Sequence, residues 1–193
     1  MHRLKKSTLL ALSWAIEDEF CAKAERAVLF GAFQRERYYD AARSRWAELA
    51  LVARSAFAFA EFPDLDRPQV SGAGARPGPV LVPLPPEEPM AREWAVVCDS
   101  MDLPAALTAW ELPGQAGVPD RERVFESMFT VDPDAVRDAA RVCAGVARRA
   151  GAGEAAPALY DLADRPRAGT TDLAAVSAMF GRVLTYVDRF GAA

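Results

Sequence analysis

Histidine is nearly missing from this chain: among its 193 residues the single one is His2. A Ser-His-Asp or Cys-His nucleophile therefore has no base, and a histidine-based metal site has no ligands, which excludes most hydrolase mechanisms. Cysteine is scarce as well. Cys21, Cys98 and Cys143 are odd in number and widely spaced, matching neither a disulfide framework nor a paired-cysteine metal knuckle, and they read as reduced cytosolic thiols. Phosphate-cradling loops are absent too. Gly72-Ala73-Gly74 and Gly151-Ala152-Gly153 lack the remaining spacing of a dinucleotide loop, and no glycine-rich loop ends in Gly-Lys-Ser or Gly-Lys-Thr. With no aspartate-rich calcium loop either, no residue is assigned to catalysis or to a metal, the cofactor is unknown, and the expectation is a chain that is not an enzyme.

Cations are not clustered. The formal net charge is -4, and the densest basic stretches, Arg3-Leu4-Lys5-Lys6 and Arg148-Arg149, are short, so direct binding to nucleic acid is not expected. Long apolar runs are lacking. The richest candidate, residues 47–62, contains Glu48, Arg54 and Glu61, where a membrane span needs about 20 nearly uninterrupted apolar residues. The basic start of the chain leads into an apolar run that is broken at Ser13 and then by Glu17-Asp18-Glu19, which is no secretory signal. These absences point to a cytoplasmic location with no membrane partner. Hydrophobic residues at 51% and charged residues at 26% are an ordinary balance for a folded domain, and the length favours a single one over 1–193.

What is present is an alternation of strand and helix patterns. Ser7 or Thr8 can cap a helix reaching to about Ala24, with Leu9, Leu12, Ile16 and Phe20 on one face. Residues 27–33 are apolar throughout and too short for a helix, which suits a central strand covered on both sides. Helical spacing returns over 35–53 through Tyr39, Ala42, Trp46, Leu49 and Ala53. From Ser55 to Phe62, phenylalanine and alanine alternate as in a second strand. Prolines and glycines over 63–79 predict an internal loop, quite mobile by composition. Strands are expected at 80–82, 93–99 and 125–131, a helix from about Pro104 to Trp110, and a connector over 150–170. Asp132-Pro133-Asp134 is the clearest helix start, with Val136, Ala139, Ala140, Cys143 and Val146 as its buried stripe. A last helix capped by Thr171 or Asp172 carries Leu173, Val176, Phe180, Leu184 and Val187 on one side and stops at Gly191. The sum is an α/β chain in a three-layer arrangement, with a central sheet of about five strands and helices on both faces.

The candidate site is a rim cluster. Phe33, Gln34, Arg35 and Glu36 lie where the first strand ends and a helix starts, a place where α/β sheets hold ligands and helix amides favour an anion or polar group. A solvated first helical turn accounts for Arg35, Glu36 and Arg37 equally well, though less readily for Gln34. Asp99 closes the 93–99 strand and joins the same rim if the strands are parallel; as a plain cap or turn former it needs no ligand. Trp110 and Glu111, at a helix end, would add an aromatic wall and an acceptor. Trp14, Trp46 and Trp94 read as core or interface, and Glu17-Asp18-Glu19 as a solvated helix face, since neighbours in sequence point in different directions around a helix.

In their order, Leu9 to Glu17, Ala32-Phe33-Gln34-Arg35-Glu36-Arg37, Arg92-Glu93-Trp94 and Val97-Cys98-Asp99 resemble the DICT sensory domain family. Trp110-Glu111, Phe125-Glu126 and Asp132-Pro133 followed by Val136-Arg137-Asp138-Ala139 extend the resemblance over nearly the whole chain. It implies a bacterial input module of the kind joined to diguanylate cyclases, cyclic-dinucleotide phosphodiesterases, histidine kinases and DNA-binding regulators. No segment here resembles such an output domain. Since Met1 lies close to the first helix, the expectation is a stand-alone module, homodimeric if it self-associates, that binds a small ligand or a signalling protein and regulates a separate output. The alternative is an interaction module without a ligand, docking through an exposed apolar patch on an outer helix.

Overall fold

Alternating alanine and phenylalanine in one short segment already defines a sheet between two unlike layers: the small side lets helices approach closely and the large side fills space. The computed structural model, which describes residues 1–71, 78–164 and 172–191, is built around such a sheet. Along the chain run β1 (His2–Lys5), α1 (Lys6–Ile16), a π-helical turn (Glu17–Cys21), β2 (Val28–Arg35), α2 (Glu36–Val52), β3 (Ser55–Glu61), β4 (Gln69–Val70) and β5 (Val80–Pro83). There follow β6 (Glu93–Asp99), β7 (Ala105–Glu111), β8 (Val124–Thr130), α3 (Pro133–Arg149), α4 (Ala155–Asp164) and α5 (Leu173–Gly191).

The strands form one mixed sheet in the order β1-β8-β7-β6-β2-β3-β5-β4. The β2–β3 and β3–β5 pairs are parallel, and the others are antiparallel. One layer packs Leu9, Ile16, Phe20, Tyr39, Trp46 and Met179 from α1, the π-helical turn, α2 and α5 onto Leu29, Ala56, Ala58, Ala60, Leu107 and Phe125. The other sets Val136, Ala140, Cys143 and Ala147 of α3, with Ala155, Ala158 and Leu162 of α4, against Phe30, Phe57, Phe59 and Val97. The arrangement is three-layered, with eight strands where about five were expected.

The differences have physical causes. Residues 104–110 form β7, not a helix: from Cys98↔Ala105 onward β7 pairs with β6, and Leu103 N–H donates to Ser100 Oγ at 2.9 Å to tighten the reversal. No strand was expected before the first helix, yet the backbone of β1 pairs with β8 from His2↔Ser127 to Lys5↔Val124. Within the 63–79 loop Gln69–Val70 pairs with β5, and residues 72–77 lie outside the described residues. The 150–170 connector contains α4; residues 165–170, and Thr171, lie outside the described residues. Asp132 caps α3 as expected, its carboxylate accepting from Ala135 N–H at 3.2 Å, and Asp172 caps α5 through Ala174 N–H at 2.8 Å.

α5 is rotated by about a quarter turn from its expected stripe, of which Val176 packs on the core. Leu173, Phe180 and Leu184 are 76%, 61% and 57% exposed, whereas Met179 is buried and Ala175, Val176, Val183 and Tyr186 pack on the core. The helix is apolar on two sides, and polar ties choose between them: Arg182 pairs with Glu19, and Tyr186 donates to Asp18. Among the described residues no helix is long and apolar enough to cross a membrane.

Candidate functional site

One face of α1, continued into the π-helical turn, repeats at Lys6, Leu10, Ser13 and Glu17, the three- and four-residue spacing that aligns side chains along a helix. α2 presents Tyr38, Ala41 and Ala42 at the same kind of spacing. Because alanine fills so little space, the two helices do not close on each other above β2 and β6. A slot of about 230 Å³ remains, floored by Phe33, Trp94 and Val96 and walled by those helical residues and Trp14. It runs beside nearly three turns of α1, about 16 Å at 1.5 Å per residue.

The slot is apolar in its body and polar at both ends. Glu17 and Ser13 are buried, while Asp120 and Arg121, at the other end, are exposed. Trp94 Nε1 donates to Ser13 Oγ at 2.8 Å, and Ser13 Oγ donates to the Leu9 carbonyl at 3.0 Å, so those polar atoms are satisfied within the wall. At the exposed end Lys6 Nζ donates to both carboxylate oxygens of Asp120, at 2.8 and 2.9 Å, and sits 3.5 Å from the centre of the Tyr38 ring. Tyr38 donates its hydroxyl hydrogen to Asp120 Oδ1 at 2.7 Å. Burial works to raise the Asp120 carboxyl, but hydrogen bonds from Lys6 and Tyr38 and the charges of Lys6 and Arg123 outweigh it and hold the group below the usual range.

At the buried end the three consecutive acids are not a solvated face. The π-helical turn lies between α2 and α5, and each acid finds its own partners. Glu17 accepts from Arg45 and, at 3.1 Å, from Trp46 Nε1. Asp18 accepts from Arg45 and Tyr186, and Glu19 from Lys23 and Arg182. Burial pushes the Glu17 carboxyl from 4.5 up to about 7, the Arg45 charge and the Trp46 and Arg45 hydrogen bonds opposing it only in part. The folded chain then keeps a proton that the unfolded chain has released between about pH 4.5 and 7. Stability from this group is therefore greatest below that window and falls as pH rises through it, by about 3 kcal/mol in all. Urea unfolding of wild type and Glu17→Gln at pH 4.5 and pH 8 is expected to show that much less pH dependence in the variant.

The residues expected at a common rim are dispersed. Phe33 alone faces the slot. Between Ala32 and Arg35 the β2–β3 register shifts, and Gln34 takes a positive φ of 63° in that bulge, which re-aims its side chain. Gln34 is buried and donates to the Arg92 carbonyl at 3.1 Å and to Glu111 Oε2 at 3.3 Å; Glu111 also pairs with Arg123 at 3.3 Å. Gln34 and Glu111 are thus brought together, as ties between strands. Arg35 and Glu36 line a separate open groove of about 500 Å³ with Glu61 and Pro86. Trp110 lies in β7, not at a helix end, and stacks under the Arg92 guanidinium, 4.7 Å from its ring centre. Asp99 is at the far end of the sheet: β6 runs antiparallel to β2, so Asp99 pairs with Val28 and not with the Phe33 end. There it meets Arg137, which donates to it at 2.8 Å. Trp46 is core as expected, and Trp94 packs on the core while flooring the slot, whereas Trp14 is part of its wall. Sequence reasoning missed Lys6, Tyr38 and Asp120 as site residues, although the Lys6, Leu10, Ser13, Glu17 spacing is a signal that could have found the wall of α1. Among the described residues no cluster of three or more His, Cys, Asp or Glu is placed to hold a metal ion.

The family model described as the sensory domain in diguanylate cyclases and two-component systems, DICT, matches residues 1–112. The chain belongs to the DICT family. The matched DICT segment contains β1 to β7 with α1 and α2, hence the floor and both walls of the slot. It stops short of Asp120 and Arg121 at the mouth, and of the Phe125-Glu126 and Asp132–Ala139 stretches over which the resemblance had been extended. No curated protein and no solved structure matches the chain.

Proposed function

We propose that this DICT chain senses a small, mostly apolar molecule held in the slot between α1 and α2, and passes its occupancy to a separate output of the cyclic-dinucleotide, two-component or transcriptional kind. The observation that supports this is the slot itself, an apolar hollow with polar ends, whose floor and helical walls lie in the part of the chain that carries the sensory family match. Apolar pockets with few, convergent polar groups are the usual form of small-molecule sites. The volume exceeds the roughly 150 Å³ that admits benzene to an apolar cavity, so the occupant has up to the bulk of a bicyclic ring or a medium-length aliphatic chain.

Thermal unfolding against a metabolite library tests the reading. A ligand at a hundred times its Kd stabilises by about 2.7 kcal/mol, which for a chain of this size raises the midpoint by about 5–10 °C. Ala42→Phe, which puts a ring into the slot, is expected to remove that rise while leaving the unliganded midpoint unchanged or higher. A second reading is favoured by the uncovered apolar side of α5: a ligand-free interaction module whose occupant is a second copy, since Ala174, Ala178 and Gly181 offer small residues beside Leu173, Phe180 and Leu184 for close helix pairing. A library without a single stabilising compound, together with a dimer in sedimentation that Phe180→Glu dissociates, would replace the first reading by the second.

A further inference from the structure

From the one cationic end of the slot we infer the chemistry of its occupant: a small carboxylate with an apolar tail, whose head group takes the place of Asp120 on Lys6. This rests on the sensing reading above and narrows it to a ligand class.

The argument begins with Lys6. Its side chain is 9% exposed, and a buried ammonium needs a counter-ion, because leaving water unpaired costs several kcal/mol. Among the described residues that counter-ion is Asp120, whose side chain is 46% exposed and belongs to a single 3-10 turn, Asp120–Glu122, in the connection between β7 and β8. The cation is fixed in a helix and the anion comes from a surface turn, so the anion is the exchangeable member. What Asp120 occupies is already a carboxylate site: both its oxygens accept from Lys6 Nζ and one accepts from the Tyr38 hydroxyl, while Ser7 and Arg121 line the same mouth. The first turn of α1 carries no acidic residue and no side-chain cap, which leaves the mouth electropositive once Asp120 moves away.

Other head groups fit less well. A ligand cation would compete with Lys6 for the Tyr38 face, where the lysine ammonium already sits. A neutral ligand gains nothing from Lys6 and leaves Asp120 in place. A carboxylate attached to a tail that fills the space beside Leu10, Phe33 and Trp94 takes over the Lys6 and Tyr38 contacts of Asp120 and adds apolar burial, which Asp120 cannot supply. Exchange also carries a signal. Once released, Asp120 no longer ties the 112–123 connection to α1, and the surface formed by that connection changes with occupancy.

The test pairs acids with isosteric amides: 2-naphthoate against 2-naphthamide, and octanoate against octanamide, titrated with tryptophan fluorescence from Trp14 in the wall and Trp94 in the floor of the slot. Wild type is expected to bind each acid at least tenfold more tightly than its amide. Asp120→Asn removes the internal competitor and is expected to tighten acid binding severalfold without changing the amides, while Lys6→Met erases the preference. Backbone hydrogen exchange over residues 113–122 is expected to rise with the acid and not with the amide. Amides binding as well as acids, acid binding weakened by Asp120→Asn, or exchange unmoved by a bound acid would each overturn the inference and leave the sensing reading standing on the library screen and Ala42→Phe. If neither pair binds either protein, the carboxylate assignment falls; if the library also yields nothing, the sensing reading falls with it.

Discussion

Replacing Arg137 by methionine is expected to lower the unfolding free energy by about 3–5 kcal/mol, the usual cost of stripping one partner from a buried ion pair. The guanidinium and the Asp99 carboxylate are 3% and 2% exposed, 2.8 Å apart. Arg137 also donates to the Leu162 carbonyl at 3.0 Å, joined there by Arg141 at 3.4 Å. Leu162 lies in the last turn of α4, where carbonyls have no partner within the helix, so the arginine satisfies an otherwise open end. One side chain on α3 thereby ties the end of β6 to α4. The pair need not be net stabilising, however. Among the described residues Asp99 Oδ2 has no hydrogen-bond partner, and charges taken out of water recover their desolvation only when all their valences are met. The double variant Arg137→Met/Asp99→Leu should therefore regain most of what Arg137→Met loses, in urea unfolding at neutral pH. A loss below about 1 kcal/mol in the single variant, or an unrescued double variant, would show that the pair does not carry this weight. Asp99 and Trp94 are five residues apart on β6, about 17 Å along an extended strand. Ligand-induced stabilisation is thus expected to survive the double variant, which separates Asp99 from the slot.

The periodic parts of this fold were legible because their pattern and their burial coincide. β3 alternates alanine with phenylalanine and meets two different layers; β6 was read at its observed limits; Asp132-Pro133 starts α3 where aspartate and proline favour a helix start. Where local preference and long-range pairing disagree, pairing wins. The segment Ala105 to Trp110 is rich in helix formers and follows Pro104, yet β6 on one side and β8 on the other make it a strand. α4 was hidden by its proline, which at the third position of the helix costs little because the first-turn N–H groups lack helical partners anyway. The direction of α5 could not be read from its spacing, since both of its sides are apolar and the choice lies with Asp18 and Glu19, more than 160 residues away. The same distance problem hid the site. Lys6 and Asp120 are 114 residues apart, Glu17 and Arg45 are 28 apart, and no local pattern announces that they meet.

Gly31→Ala carries the slot and the core together, and a loss of about 3 kcal/mol is expected from a single methyl group. A Cβ at this position would come within 2.5 Å of Cη2 and Cζ2 of Trp46 and 2.9 Å of Phe33 Cε2. Trp46 is fully buried, packed edge-on against Phe33 with ring centres 5.3 Å apart, and its Nε1 donates to Glu17. The indole can avoid the methyl only by moving, which breaks the Glu17 bond at the closed end of the slot and shifts Phe33 on its floor. The clashing atoms lie at the far side of the indole's fused benzene ring, beyond the reach of a phenylalanine ring at the same position, so Trp46→Phe makes room for the methyl. Trp46→Phe alone should also destabilise, through a cavity and an unpaired Glu17 oxygen. Combined, Gly31→Ala/Trp46→Phe is expected to be more stable than the sum of the two single losses predicts, by about 1–3 kcal/mol, in a double-mutant cycle measured by urea unfolding. Additive losses would mean that the methyl is accommodated without moving the indole. Any ligand that stabilises wild type should bind the Gly31→Ala protein more weakly than it binds the double variant, because the smaller ring of the double variant leaves Phe33 room to retreat from the methyl away from the space the ligand needs.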